Sequence, residues 1–203
     1  MSFIATTAPD EAEADVAALY ARQQAAWGYV PNYAKVFCHR PEVMARWGQL
    51  LAELKRPMDA RRFELVTFVA ALELRNSACA VVHGNKLRAH LNTEAIVALA
   101  ADRFDSALSE AEQSMLRFAR QIVRDAASVT ADQVAELKRL GFSDAEVFDI
   151  AAVAAGRAFF AKLLDALGVE LDSPFLALDA ALREPLMVGR AIDPTPCATM
   201  PAA

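Results

Sequence analysis

The sequence predicts an all-α protein, and three observations carry that reading. Alanine and leucine, both strong helix formers, dominate the composition, with charged residues recurring at helical spacing. Hydrophobic residues make up 55% of the chain against 23% charged, with only seven glycines, the balance of a compact globule rather than a disordered chain. No apolar window reaches the roughly 18 to 20 uninterrupted residues that a membrane span requires.

The elements follow in order. Residues 1–9 read as a loose start. Pro9 with Asp10 and Glu11 places acids at the beginning of a helix running to about Trp27, with Val16, Leu19, Tyr20, Gln23 and Trp27 on its buried side. Gly28 breaks it, and GYVPNYAKVFCHRP, with its aromatics and two prolines, reads as a loop around a short helical turn. Pro41 opens a helix through Met44, Trp47, Leu50, Leu51 and Leu54 that Pro57 closes. Asp59 then caps a helix from Ala60 to Arg75. Asn76-Ser77 is the polar break before the next apolar run. An N-cap there puts Cys79 in the first turn of a new helix, where the dipole and backbone N–H groups lower its pKa; a helix running uninterrupted across Asn76 is the alternative.

Asn92-Thr93-Glu94 caps a helix from Ala95 to Ala101, and Ser109 with Glu110 and Glu112 opens a long one to about Ala126. Thr130 begins the helix ending at Leu140-Gly141. Ser143 to Glu146 forms a capping box for the last long helix, through Phe160 and Leu167, which Gly168 terminates. The organisation expected is one helical domain over 1–172 and a C-terminal extension over 173–203, partly disordered or an arm.

A shift of fifty residues reveals a faint internal repeat, with units at about 57–105 and 107–155. It lays Leu87 on Leu137, Arg88 on Lys138, Thr93 on Ser143, Glu94 on Asp144 and Phe68 on Phe118. The same shift pairs Glu64 with Ser114, Cys79 with Val129 and His83 with Gln133. Only the first unit keeps an acid, a thiol and an imidazole.

A net charge of −5, with no run of Lys and Arg, gives no footprint for nucleic acid. The N-terminus carries Asp and Glu where a secretion signal carries basic residues, so a cytoplasmic protein is expected. The cysteines at 38, 79 and 197 are odd in number and far apart, which fits a reducing compartment rather than a disulfide framework. Cys38 reads as a packed core thiol and Cys197 as incidental.

The segment from Glu64 to Leu91 holds the candidate chemistry. Cys79 and His83 stand at i and i+4 and share one helical face, with His90 further along. Thiolate, not thiol, attacks a peroxide, and a free thiol is only slightly ionised at neutral pH. His83 can take its proton while Glu64 holds the other ring nitrogen. The opposing readings are a packed Cys79, a His83 bonded to a carbonyl and a Glu64 capped by Arg61 or Arg62. A further alternative takes Glu64, Cys79 and His83 as metal ligands, though an apolar stretch suits zinc poorly. No motif calls for a cofactor.

A glutamate followed, about a dozen residues on, by a cysteine-bearing turn and a CxxxH resembles the AhpD-like (carboxymuconolactone decarboxylase) superfamily. GYVPN with its following Arg-Pro, LSEAEQ, VTADQVAELKRLGFSDAEVFDIA and LGVELD resemble its peroxidase-related branch, over about residues 14–172. The resemblance implies an all-helical fold forming homo-oligomers and, in the best-known members, a hydroperoxidase with a CxxC pair and a Glu–His proton relay. On this sequence Glu64 falls on the relay acid, Cys79 on the second cysteine and His83 on the relay histidine. The first cysteine falls on Asn76, and Ala158 and Ala161 stand where the branch carries asparagines.

Without that first thiol, a sulfenic acid on Cys79 needs an external thiol reductant. A small-molecule hydroperoxide is then the expected substrate. Two further classes stay open: an acid–base enzyme on a carboxylic acid or lactone, using His83 and Glu64 with Arg75 or Arg88 holding the carboxylate, and a non-catalytic oligomer binding an apolar ligand.

Overall fold

The computed structural model describes residues 2–103 and 108–200. Met1, the junction expected between the two repeat units and the last three residues of the extension lie outside the described residues. The fold is all-helical, and among the described residues the sole extended pairing is an isolated parallel bridge between Leu171 and Ile192. No described helix is long and apolar enough to cross a membrane.

Pro9–Glu11 forms a separate 3-10 turn, and the chain extends again at Glu13 before α1, Ala14–Trp27, begins. The first helix therefore starts later than the acids at 10 and 11 predict. Gly28 ends it in the left-handed region at φ 82°. The aromatic loop contains α2, Asn32–Val36, and a 3-10 turn, Phe37–His39. Next come α3, Pro41–Lys55, and α4, Ala60–Glu73.

Every residue of α4 from Phe63 to Ala71 is buried, because the helix packs between α5 (Ser77–Leu87), α7 (Glu110–Asp125) and α9 (Asp144–Ala166). An apolar circumference suits that central place. Two short helices, α6 (Thr93–Ala100) and α8 (Ala131–Arg139), complete the domain. Capping boxes at Ser109/Glu112, Thr130/Gln133 and Ser143/Glu146 start α7, α8 and α9. Helices α4, α5 and α6 begin at 60, 77 and 93, and α7, α8 and α9 at 110, 131 and 144. The helix starts thus recur in order at an offset of about fifty residues.

The break between α4 and α5 sets the register of the candidate site. Arg75 takes φ 56°, its N–H donates to Leu72 O at 3.0 Å, and the Asn76 N–H reaches back to Ala71 O at 3.0 Å, a Schellman closure. Asn76 at once caps α5, its Oδ1 accepting from the Cys79 N–H at 2.8 Å. The helix is therefore interrupted at Asn76, and Cys79 lies in a first turn.

Residues 173–200 wrap the domain as an arm. It contains a 3-10 turn at Ser173–Ala177, the short α10, Ala180–Arg183, and a second turn, Glu184–Leu186. Leu182 and Leu186 are buried beside α5 and α6. Gly84 in α5 admits that approach, since a Cβ there would stand 2.4 Å from Leu186 Cδ1. Further on, the Gly189 N–H donates to Ser77 Oγ at 2.8 Å, and Ala198 O accepts from the Val30 N–H at 2.9 Å.

Candidate active site

One face of α3, carrying Met44, Trp47, Gly48, Leu51 and Lys55, lies across a cavity of about 360 Å³ from Cys79, Val82, His83 and Lys86 of α5. Arg157, Phe160 and Leu164 of α9 line the same space, as do Trp27 at the end of α1, Tyr33 of α2 and Leu171, Asp172 and Phe175 at the root of the arm. Phe160 anchors the walls: it stacks on Trp47 with centroids 5.5 Å apart and meets Tyr33 edge-on at 5.7 Å. Tyr33 is itself held in place, its hydroxyl accepting from Trp27 Nε1 at 3.0 Å and donating to Gln23 Oε1 at 2.5 Å.

All three residues singled out in the sequence are buried, Glu64, Cys79 and His83 each being 6% exposed. His83 Nδ1 and Glu64 Oε2 are 2.5 Å apart. Burial pushes the imidazole pKa down to about 4, Arg157 adding to the effect against the opposing pull of Glu64, so His83 is neutral at pH 7. Burial raises the Glu64 carboxyl, but the hydrogen bond and charge of His83, with Lys86 and Lys55, outweigh it and hold the group below its ordinary value. A neutral ring beside a carboxylate places the proton on Nδ1, donating to Glu64, and leaves Nε2 as a free acceptor. Arg61 and Arg62 are paired elsewhere, with Glu112 and Glu146.

Sequence reasoning missed Arg157. It is 5% exposed, and its Nη1 lies 3.6 Å from Cys79 Sγ. The signal was present as a lone arginine within the uncharged run between Asp149 and Lys162. Arg75 and Arg88, the cations proposed for binding a carboxylate, do not face the cavity. Arg75 donates to Val188 O at 3.3 Å, and Arg88 is exposed beyond the end of α5.

The expected fall of the Cys79 pKa is overturned. Burial pushes the thiol up and outweighs the first-turn position and the favourable charge of Arg157, so the resting group is a thiol. Cys79 and His83 share the cavity wall, and no hydrogen bond joins them. His90 also departs from expectation: α5 stops at Leu87, so His90 sits in the following turn, exposed, with its carbonyl accepting from Arg61.

All three cysteines are free. Cys38 is half-buried and accepts from the Thr7 N–H at 3.5 Å, while Cys197 lies 3.6 Å from Ser173 Oγ. Among the described residues no group of three or more His, Cys, Asp or Glu is placed to hold a metal ion.

The all-helical fold is that of solved AhpD-like, peroxidase-related proteins. A peroxidase-related protein with an alkylhydroperoxidase AhpD core from Ralstonia eutropha JMP134 superposes with a TM-score of 0.73 at 19% identity, over 93% of this chain and 98% of that one. An uncharacterised peroxidase-related protein from Silicibacter sp. TM1040 gives 0.67 at 20% identity, over 80% and 87% of the two chains. The debrominase Bmp8, as a Cys-to-Ala variant in complex with 2,3,4-tribromopyrrole, gives 0.68 at 18% identity, over 92% and 98%. No family model and no curated protein matches the sequence.

Proposed function

We propose that the protein is a thiol peroxidase of AhpD-like type, reducing organic hydroperoxides through Cys79 alone. The observation that carries this reading is the convergence of Cys79, the His83–Glu64 pair and Arg157 on one aromatic cavity. In the empty site the neutral thiol and neutral imidazole are the favoured pair, because burial penalises both ions. Transfer of the thiol proton to His83 Nε2, directly or through the bound hydroperoxide, creates a thiolate beside Arg157 and an imidazolium beside Glu64. Each nascent charge thus meets its counter-charge.

The thiolate attacks the terminal peroxide oxygen. An S–O bond forms as the O–O bond breaks, sulfur is oxidised by two electrons, and the alkoxide leaves as the alcohol by taking the proton from His83. Because Asn76 stands one turn before Cys79, the sulfenic acid is reduced by two equivalents of an external thiol, giving water and a disulfide. In the oligomeric form that the resemblance implies, each subunit holds its own centre. The cytoplasm, with its thiol pool, suits this cycle.

The test is turnover of cumene hydroperoxide with a small thiol as reductant. Cys79→Ser is expected to reduce consumption to the uncatalysed level; unchanged consumption rejects the peroxidase reading. A second reading, thiol-dependent dehalogenation of a ring compound, is favoured by the aromatic walls and the likeness to a debrominase. Halide release lost in Cys79→Ser, without peroxide turnover by the parent protein, selects it. Lactone turnover kept in Cys79→Ser but lost in His83→Ala selects the acid–base class instead. Ligand binding with none of these activities selects the non-catalytic class.

A further inference from the structure

Arg157 carries a charge that the fold does not neutralise. The side chain is almost fully buried, yet no carboxylate among the described residues lies within ion-pair distance of it. Its one hydrogen bond is the 3.6 Å contact from Nη1 to Cys79 Sγ, and its buried Nε has no partner. The neighbouring sulfur is a thiol at rest, so it supplies no counter-charge. The Phe160 ring, 5.8 Å from the guanidinium carbon, offers only a cation–π contact.

Glu170 and Asp172 line the cavity and Glu64 reaches it through His83, and none of the three forms an ion pair with Arg157. Glu64 is held by His83, and Asp172 accepts from the Asn32 N–H at 2.7 Å. Lys55 and Lys86 add positive charge to the same walls. A buried cation without a partner is strongly unfavourable, whereas one facing an otherwise apolar cavity is a recognition element for an anion that arrives with the ligand.

We infer that the cavity takes a ring-bearing monocarboxylate, its carboxylate on the Arg157 guanidinium and its ring among Trp47, Phe63 and Phe160. A carboxylate matches the planar fork of arginine, and as a single charge it is less strongly hydrated than a phosphate dianion, which suits walls that are mostly apolar. The ligand engages donors other than Nη1, so that nitrogen stays beside the sulfur. The inference shares its cavity with the peroxidase reading and narrows the substrate to a carboxylated hydroperoxide, but it does not rest on thiol chemistry.

Isothermal titration of the full chain with hydrocinnamate and its neutral isostere hydrocinnamide tests it. The acid is expected to bind at least about tenfold more tightly than the amide, the scale of one charge-assisted contact. Arg157→Gln should bring the two within about twofold while leaving the amide affinity unchanged, which also reports an intact cavity. Arg157→Lys, which keeps the charge without the fork, should retain part of the preference and serves if the Gln variant does not fold. Cys79→Ser should keep all of it.

Equal affinities in the parent protein, no binding of either probe, or a preference that survives Arg157→Gln overturns the inference. So does a preference that disappears in Cys79→Ser, which would assign the selectivity to the thiol. Turnover of neutral cumene hydroperoxide by the parent protein bears on the peroxidase reading independently of these affinities.

Discussion

Replacing His83 by Gln should remove a pH dependence that the native fold carries. The imidazole is pushed from its ordinary value of 6.5 down to about 4, so as pH falls the unfolded chain takes up a proton before the folded one does. The stability this residue confers is therefore complete above about pH 6.5 and is lost as pH falls towards 4. Each pH unit in that window is worth about 1.4 kcal/mol, so the full loss is roughly 3 kcal/mol, with about 2 kcal/mol of it gone by pH 5. Asp172 works in the opposite sense: burial raises its carboxyl to about 6, so its penalty is relieved on acidification. The parent curve alone thus confounds two groups, and the difference between parent and His83→Gln isolates the imidazole.

Urea unfolding followed by far-ultraviolet circular dichroism at about pH 7, 6 and 5 measures the difference. Parallel curves, or an imidazole NMR titration with a midpoint above about 6, would refute the argument that burial governs this site.

Three further substitutions probe the scaffold. Asn76→Ala removes the Oδ1 acceptor of the Cys79 N–H and should cost about 1 kcal/mol in urea unfolding, whereas Asn76→Cys should let a peroxide-treated sample form an intramolecular disulfide with Cys79, read as two thiols lost to a thiol titrant. Gly48→Ala places a methyl where nothing lies within 4 Å, inside α3, and should stabilise the protein by roughly 0.5 to 1 kcal/mol in the same assay. Gly189→Ala brings a Cβ to 1.9 Å from Arg75 O; the arm should lift from the α4–α5 junction, detected as faster proteolytic cleavage within 173–200 at unchanged helicity.

What the sequence made legible is what local chemistry decides. Asp59, Asn76, Asn92, Ser109, Thr130 and Ser143 each accept from a backbone N–H three residues on, and each cap is readable from residue type and spacing. The i, i+4 placement of Cys79 and His83 is likewise local. The pairing of His83 with Glu64 crosses between helices, so no local spacing encodes it; it was legible as the chemistry of an acid beside an imidazole and as a family resemblance.

The arm shows the limit in one direction. Its prolines suppress helical period, yet two leucines four residues apart, Leu182 and Leu186, are enough to dock it once α5 presents Gly84. Arg157 shows the limit in the other. Its meaning depends on a partner 78 residues away and on there being no carboxylate within ion-pair distance among the described residues, and neither is encoded at its own position.

The thiol pKa joins these points. Position within α5 places Cys79 in the first turn, at the positive end of the helix dipole. The net direction is set by how much water the aromatic walls exclude, a property of α3, α5 and α9 together, and burial wins. The same burial that encloses Arg157 makes the thiolate of Cys79 costly in the empty cavity. In the proposed thiol peroxidase, reactivity is therefore conditional on occupancy: the cavity that holds Cys79 as a thiol when empty also selects the ligand whose arrival releases it.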